Sequence, residues 1–402
     1  MRNFDWPIFI LLLFLLFYGV VAIYSASATK IGNDFEIENY YIKQIIWIVI
    51  SLVLLYLLLK IPYTILEVMI LPFYAITLIL LMMVLFMPEV NGSHRWIPLA
   101  IMNIQPSELA KINLILALAK LISEKHISDW QIINRSILLS LAPVILILLE
   151  PDLGTSLSLI ISLFAILAVS DLPFFYIILI ISPIVSVITS FSIFSFIFFL
   201  LVLIYLLYKS RLSKVIIGFA VTINTFFFFI TPVIWNSLKE YQQNRILSFI
   251  NPMRDPFGAG YQIIQSKIAI GSGGLLGKGF LIGTQKNMNF LPEHHTDFIF
   301  SVIGEEFGFF GCTILLLLYF LFLLRIAKKI AGLKRKDFKY AAVGILAYIT
   351  FQIFVNIGMN IGIVPTTGIP LPFISYGGSN LLINILAVGL ILKFINEKSI
   401  FE

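Results

Sequence analysis

Apolar runs of membrane-spanning length recur along this chain, and polar positions gather in a few short segments between them. The runs fall near 7–25, 41–59, 66–87, 106–122, 137–149, 154–170, 172–190, 192–208, 214–235, 298–324, 340–363 and 379–395. A helix needs about 20 mostly apolar residues to cross a bilayer core. The pattern therefore predicts an all-α, polytopic transmembrane helical bundle of about 10–12 spans. Two runs near 137–170 are short because "EPDLG" interrupts them, and the pair within 172–208 is joined tightly enough to be one extra transmembrane hairpin. The first run, "WPIFILLLFLLFYGVVAIYS", is too long for a signal-peptide core and lacks a cleavage site, so it reads as a true first helix.

Two segments break the pattern. Residues 236–297 hold eight glycines between Gly258 and Gly283 with apolar residues throughout, which predicts short helices and turns instead of a disordered linker. Residues 364–380, "VPTTGIPLPFISYGGSN", have three prolines and paired glycines that forbid a regular helix. Irregular backbone at membrane depth is tolerated only when buried in protein or lining a cavity.

Charge sets the orientation. With the N-terminus inside, the inner short loops carry Lys60, Lys120, Lys125, Arg135, Lys209, Arg211, Lys214 and the cluster from Arg325 to Lys339. The outer short loops carry Lys30, Lys43 and Arg95. Cytoplasmic loops carry the excess of Lys and Arg, so both termini are expected in the cytoplasm and 236–297 is expected to be a large extracytoplasmic loop within a single 1–402 membrane domain. The chain is 60% hydrophobic and 12% charged, far from soluble usage. Its net charge of +6 follows from basic loops and implies no nucleic-acid partner. The single Cys312 excludes an internal disulfide and a Cys-based zinc cage.

Three constellations carry candidate chemistry. The first is "LPEHHTDFIFSVIGEEFGFFG", 291–311, with Glu293, His294, His295 and Asp297 before an apolar run and Glu305 and Glu306 inside it. Thr296 or Asp297 suits an N-cap, and capping alone explains an acid at that point. Asp297, Ser301 and Glu305 recur every four residues, so on a helix they share one face that must line a cavity or meet a partner charge. Gly304 and Gly308, four apart, would admit a close neighbouring helix. "EHHTD" does not match the H-E-x-x-H zinc motif. The second is "NGSHRWIPLAIMNIQPSELAKINLIL", where Glu108 and Lys111 can pair at i, i+3 after Arg95 and the interfacial Trp96. The third is Glu150 and Asp152 in "LEPDLGTS", where Asp152 can simply cap the next helix. "SGGLLGKG" is not a nucleotide-binding loop: Ser272 replaces the first glycine and Gly279 replaces the Ser or Thr after Lys278. Acids and cations gathered on one side of the membrane suit a phosphorylated, lipid-linked substrate.

The blocks "RWIPL…QPSELAK", "EPDLGTS", "DPFGAGYQIIQSKIAIGSGGLLGKGFLIGTQ", "FLPEHHTDFIFSVIGEEFGFFG" and "NIGMNIGIVPTTGIPLPFISYGGSN" resemble the SEDS family of bacterial cell-wall synthesis, in wording closer to its elongation-type than its division-type branch. The resemblance implies a peptidoglycan glycosyltransferase of the inner membrane that polymerises lipid II and releases undecaprenyl pyrophosphate. It implies Asp297 as the essential acid and Glu108 and Lys111 as an intramembrane pair. The expected binding or supporting residues are Arg95, Trp96, Glu108, Lys111, Asp152, His295, Glu305, Ser375 and Tyr376. Asp297 is either a base or the ligand of a divalent cation, Mg or Mn; no nucleotide, haem or zinc is expected. Expected partners are a class B penicillin-binding protein, other membrane proteins of the elongation complex and membrane lipids. A lipid II flippase and a non-catalytic scaffold are the rival readings.

Overall fold

The computed structural model describes residues 4–31, 34–88, 95–99, 102–124, 128–210, 212–238, 240–256, 258, 260–284 and 294–398. Glu293, Lys125 and Arg211 lie outside the described residues.

Each expected apolar run is a helix. These are α1 (Trp6–Ala26), α2 (Tyr40–Lys60), α3 (Tyr63–Val84), α4 (Pro106–Ser123), α5 (Asp129–Leu149), α6 (Leu153–Val169), α7 (Phe174–Thr189), α8 (Ile193–Lys209) and α9 (Lys214–Ser237). After α10 (Glu240–Ile250), a 3-10 turn (Pro252–Arg254) and α11 (Tyr261–Gly273) come the last three spans. These are α12 (Ile299–Ala331), α13 (Lys336–Ile361) and α14 (Gly378–Lys398). Eight of the helices are long and apolar enough to cross a membrane, and α6, α7 and α8 are shorter apolar helices. The protein is an all-helical multi-pass membrane protein. Two antiparallel hairpins, β1 (Ala28–Ile31) with β2 (Asp34–Ile37) and β3 (Ile97–Leu99) with β4 (Met102–Ile104), join spans at one end of the bundle.

Helix α5 starts well before its apolar run. Ser128 and Gln131 form a reciprocal capping box that satisfies two orphan N–H groups and lets the helix begin at Asp129. Prolines inside α3, α5, α7 and α9 are tolerated, as is usual where neighbouring helices support the freed backbone.

The core is built by α13 against α4 and α6, α14 against α2, and α1 and α11 against α12. Helices α7, α8 and α9 pack on one another around Leu203, Leu207 and Ala220, and α7 touches the main bundle through α6. Inside that trio Asn224 donates to Ser182 Oγ at 2.9 Å and Ser186 donates to the Asn224 carbonyl at 2.7 Å. Small polar residues of this kind hold helices together where the hydrophobic effect cannot.

Helix α12 is not continuous. Gly308 sits at φ 63° and ψ −158°, a conformation open to glycine and strained for other residues. The break frees backbone groups on both sides, and residues 274–279 take them up. Lys278 N–H donates to the Glu305 carbonyl at 2.9 Å and Gly279 N–H to the Glu306 carbonyl at 3.1 Å. In return Phe309 and Phe310 N–H groups donate to the carbonyls of Gly274 and Leu275, at 2.9 and 3.2 Å. The segment is spliced into the helix, so buried backbone remains paired. A Cβ on Gly308 would stand 2.3 Å from Gly277 N, and one on Gly277 would stand 2.1 Å from the Glu306 carbonyl. The close approach expected at Gly304 and Gly308 is real, with α11 and this spliced segment as the neighbours.

Candidate active site

Residues 294–298 form turns just before α12, and four parts of the fold hold them. The first is α13. Asn356 and Asn360 both donate from Nδ2 to the Asp297 carbonyl, at 2.9 and 3.0 Å. Asn356 also donates to the Ile369 carbonyl at 2.8 Å, and Asn360 Oδ1 accepts from Ser301 N–H at 3.2 Å and from its hydroxyl. The second is the irregular segment 364–377. Ser375 Oγ donates to the Thr296 carbonyl, and Tyr376 N–H donates to the His295 carbonyl at 3.0 Å. The third is the end of α1, whose Ala26 carbonyl lies 2.9 Å from His294 Nε2. The fourth is α2, where Tyr40 stacks on the His295 ring at a centroid distance of 4.4 Å. Six hydrogen-bond or ring contacts thus fix a turn that has no regular structure of its own.

Asp297 therefore sits in a rigid setting with its side chain half-buried. A Cβ placed on Gly368 would lie 3.5 Å from Asp297 Oδ2, so the carboxylate faces the 364–377 segment where that residue has φ +71°. The N-cap of α12 is Phe298, which makes no side-chain capping bond. Asp297 also precedes the helix, so it does not continue the face of Ser301 and Glu305.

The other singled-out residues separate into distinct tasks. Glu305 is buried, and its Oε1 lies 2.7 Å from Lys278 Nζ and accepts from Thr284 N–H and Oγ1 at 2.8 and 2.7 Å. Glu306 accepts from the Ser25 hydroxyl and from Gly283 N–H at 3.4 Å. Both acids anchor the spliced segment and its continuation. Glu108 and Lys111 form a buried ion pair at 2.7 Å. Asn380 donates to Glu108 Oε2 at 3.1 Å, and Lys111 Nζ lies 5.2 Å from the Tyr348 ring centroid. Tyr348 is eight residues, about 12 Å of helix, from Asn356 on α13, so this pair belongs to a deeper layer than the turn holding Asp297.

Asp152 caps α6: its Oδ1 accepts from Thr155 N–H at 3.1 Å, and its Oδ2 accepts from Thr155 Oγ1 at 2.9 Å and Gln105 Nε2 at 3.0 Å. Arg95 spends its donors on backbone, from Nε to the Glu150 carbonyl at 3.0 Å and from a terminal nitrogen to the Pro151 carbonyl. Trp96 is half-buried beside it. Lys111 is neutralised by Glu108, whereas Arg95 places two of its five N–H donors on neutral carbonyls and keeps its charge. Glu150 is fully buried with no hydrogen bond from any described residue to either carboxyl oxygen, and burial with Asp152 beside it pushes its carboxyl up to about 8 against the pull of Arg95.

The structure thus brings together Asp297, His295, Ser375 and Tyr376, and links Glu108 to them through Asn380 at the start of α14. Asn356, Asn360 and Ser266 were not singled out from the sequence. Ser266 on α11 donates to the Asn360 carbonyl and lies against Ser301 Oγ. Their signal was present: "NIGMNIG" puts two asparagines four apart in a span, where polar residues are rare and functional.

Residues 5–197 and 192–400 match the FtsW/RodA/SpoVE cell cycle protein family. The chain belongs to that family. It is 37% identical over 394 residues to the peptidoglycan glycosyltransferase MrdB of Escherichia coli, covering 97% of this chain and 92% of that one. It is 32% identical over 423 residues to the peptidoglycan glycosyltransferase RodA of Treponema pallidum, covering 97% of each. Among solved structures, it superposes with TM-score 0.74 on a chain from a peptidoglycan synthase complex studied for how polymerization and crosslinking are coordinated, at 30% identity and 99% coverage of both. The rod shape determining protein RodA of Thermus thermophilus matches with TM-score 0.63 and 27% identity, over 98% of this chain and 97% of that one. In this RodA-like fold, the turn holding Asp297 and the segment 364–377 face each other at one end of the bundle.

Proposed function

We propose that this FtsW/RodA/SpoVE-type peptidoglycan glycosyltransferase polymerises lipid II by one inverting displacement with Asp297 as the general base. The observation that carries the reading is a half-buried carboxylate on a turn clamped by Asn356, Asn360, Ser375 and Tyr376. A base must be held in place to act on a weakly nucleophilic hydroxyl. The sugar 4-hydroxyl of lipid II attacks the anomeric carbon of the growing glycan. Asp297 accepts the hydroxyl proton, the new C–O bond forms, and undecaprenyl pyrophosphate departs with the old bond's electrons. His295, Ser375 and Tyr376 shape and hold this pocket; Glu305 and the Glu108–Lys111 pair support it from below.

The leaving pyrophosphate needs its charge met. Among the described residues no group of three His, Cys, Asp or Glu side chains is placed to hold a metal. A divalent cation here would rest on the Asp297 carboxylate and on substrate phosphate oxygens, the pattern usual for Mg2+. When bound, it would offset charge on the leaving group.

The excess of cations in the short loops on the opposite side supports cytoplasmic termini and an outward-facing site. A crosslinking transpeptidase of the class B penicillin-binding type is the expected partner, working with the chain in cell elongation and shape. The test is polymerisation of lipid II by the purified chain with and without that partner, with and without chelator. Glycan polymer is the expected product. Transfer of labelled lipid II across vesicles without any polymer would overturn the reading in favour of a flippase.

A further inference from the structure

The two ends of Glu150 are treated differently by the same neighbour. Its main-chain carbonyl accepts from Arg95 Nε at 3.0 Å, and the Pro151 carbonyl accepts from a terminal nitrogen of that guanidinium. Its carboxyl group is fully buried and takes no hydrogen bond from any described residue. A carboxylate beside a guanidinium ordinarily forms a bidentate pair, the strong contact open to both groups. Here the cation takes neutral backbone oxygens and passes over the acid. Asp152 does not take the cation either, because its oxygens accept from Thr155 N–H, the Thr155 hydroxyl and Gln105 Nε2. Arg95 therefore forms no ion pair with any described residue, and three of its five N–H donors are left over.

A buried carboxyl that leaves an adjacent cation unpaired is neutral, since an unpaired buried charge costs far more than an unpaired neutral acid. The electrostatics agree. Burial and Asp152 push the Glu150 carboxyl up to about 8, and Arg95 pulls against them. Among the described residues these are the charged groups that bear on Glu150, Asp152 from the start of α6 and Arg95 from the residues before β3. Gln105, at the head of α4, is uncharged. Below pH 8 Glu150 is protonated and Arg95 keeps a whole positive charge for another partner. Above it Glu150 ionises and offers Arg95 an internal counterion.

A structural role accounts for part of this arrangement. A basic side chain on the last carbonyls of a helix is a common stop, and Glu150 is the C-cap of α5. That role uses two donors. It explains neither the buried acid left unpaired nor the place of the cluster. Helix α6 begins two residues after Pro151. A Cβ on Gly154, in its first turn, would stand 2.6 Å from Ile369 Cγ1 and 3.5 Å from the Thr367 carbonyl. Gly368, between those residues, is the glycine whose Cβ would stand 3.5 Å from Asp297 Oδ2. One short strip of chain, 367–369, thus borders both the first turn of α6 and the Asp297 carboxylate.

We propose that Arg95 receives the pyrophosphate of a lipid-linked substrate and that Glu150 is its positioning residue, a neutral acid that leaves the guanidinium's charge to the ligand. The inference deepens the polymerase reading and rests on it for the choice of lipid II as the bearer of the pyrophosphate. A guanidinium with donors to spare suits phosphate oxygens taken in pairs. Asp297 then acts on the attacking hydroxyl while Arg95 meets diphosphate charge. An ionised Glu150 competes with the ligand for the same cation, so affinity falls as the pH passes 8.

The test uses the full chain in detergent and takes two readings between pH 6.5 and 9.5. One is the Kd for a farnesyl-chain lipid II by titration calorimetry; the other is KM for lipid II in the polymerisation assay. A melting scan at each pH confines the comparison to folded protein. In the parent chain both constants should rise about tenfold between pH 7 and 9.5, the weight of one charge–phosphate contact. Glu150→Gln, which cannot ionise, should hold its pH 7 constants across the range. Arg95→Gln should bind about tenfold more weakly at pH 7 and lose the alkaline rise. Farnesyl pyrophosphate should compete for the site, whereas phosphatidylglycerol should not. Glu150→Gln following the parent chain at high pH would overturn the proposal, and this near-isosteric swap decides alone if Arg95→Gln melts early. Equal competition by phosphatidylglycerol, or parent-like binding by folded Arg95→Gln, would overturn it too. Polymer formed with constants indifferent to both residues sinks the subsite alone. Binding that depends on Arg95 and Glu150 without any polymer supports the subsite and sinks the polymerase reading.

Discussion

Two acids lie eight residues apart in this chain and live in opposite circumstances. Asp297 is half-buried on a turn whose backbone is held by two asparagines, a serine and a tyrosine N–H. Glu305 is buried, and its Oε1 meets one ammonium, one backbone N–H and one hydroxyl. In the first case the fold grips the main chain and turns the carboxylate towards Gly368 in the 364–377 segment. In the second the fold consumes the carboxylate. Neighbouring acids therefore differ in what the described contacts hold: the main chain at Asp297 and the carboxylate at Glu305.

The architectural half can be broken hardest. Gly308→Val adds a Cβ where Gly277 N would be 2.3 Å away and forces φ 63° on a β-branched residue. The expected penalty is above about 4 kcal/mol, visible as loss of a folded peak in detergent gel filtration. Glu305→Ala leaves Lys278 and the Thr284 N–H without their acceptor. It should lower stability by about 3 kcal/mol, read as an earlier thermal transition with activity lost only as the protein melts. A variant that melts normally yet makes no glycan would move Glu305 across the divide into the chemistry.

The clamp on Asp297 gives a smaller, differently shaped effect. Asn360→Ala should reduce kcat about tenfold, some 1.4 kcal/mol of lost positioning, with KM for lipid II near the original. A change confined to KM would make Asn360 a substrate contact instead. Glu150 gives an effect of another kind, read as a dependence of stability on pH. Its carboxyl titrates near 8 when folded against 4.5 for the ordinary group, because burial and Asp152 disfavour its charge. Folding therefore favours the protonated form: this contribution is complete below pH 4.5 and is lost as pH rises towards 8. Glu150→Gln should flatten the fall in melting temperature across that window. An unchanged slope would place the titration on another group.

Most of the fold was legible in the residues. The twelve apolar runs became helices because a continuous apolar run of that length satisfies its own backbone in lipid only as a helix. The early start of α5 was missed because polar residues such as Gln131 and Arg135 end the apolar run, although Ser128 and Gln131 spell a capping box. The break at Gly308 was legible only as a small residue in a span, since its cause is a segment some thirty residues away that supplies the missing partners. The partners of Glu305 and Glu306 were equally hidden, because Lys278, Thr284 and Ser25 meet them only after folding. Asp152 could be read as a cap from its place before "LGTS", and it is one. The asparagines of "NIGMNIG" carried a readable signal, but their target, the Asp297 carbonyl, is a backbone atom that side-chain patterns do not mark.

The central claim is that Asp297 does chemistry while its surroundings do the holding. The most direct measurement is the lipid II polymerisation rate of Asp297→Asn with its partner, beside its thermal transition. The swap is nearly isosteric and leaves the carbonyl gripped by Asn356 and Asn360 in place. The expected result is a rate lower by about two to four orders of magnitude with an unchanged transition. Normal glycan synthesis by a folded Asp297→Asn protein would contradict the account.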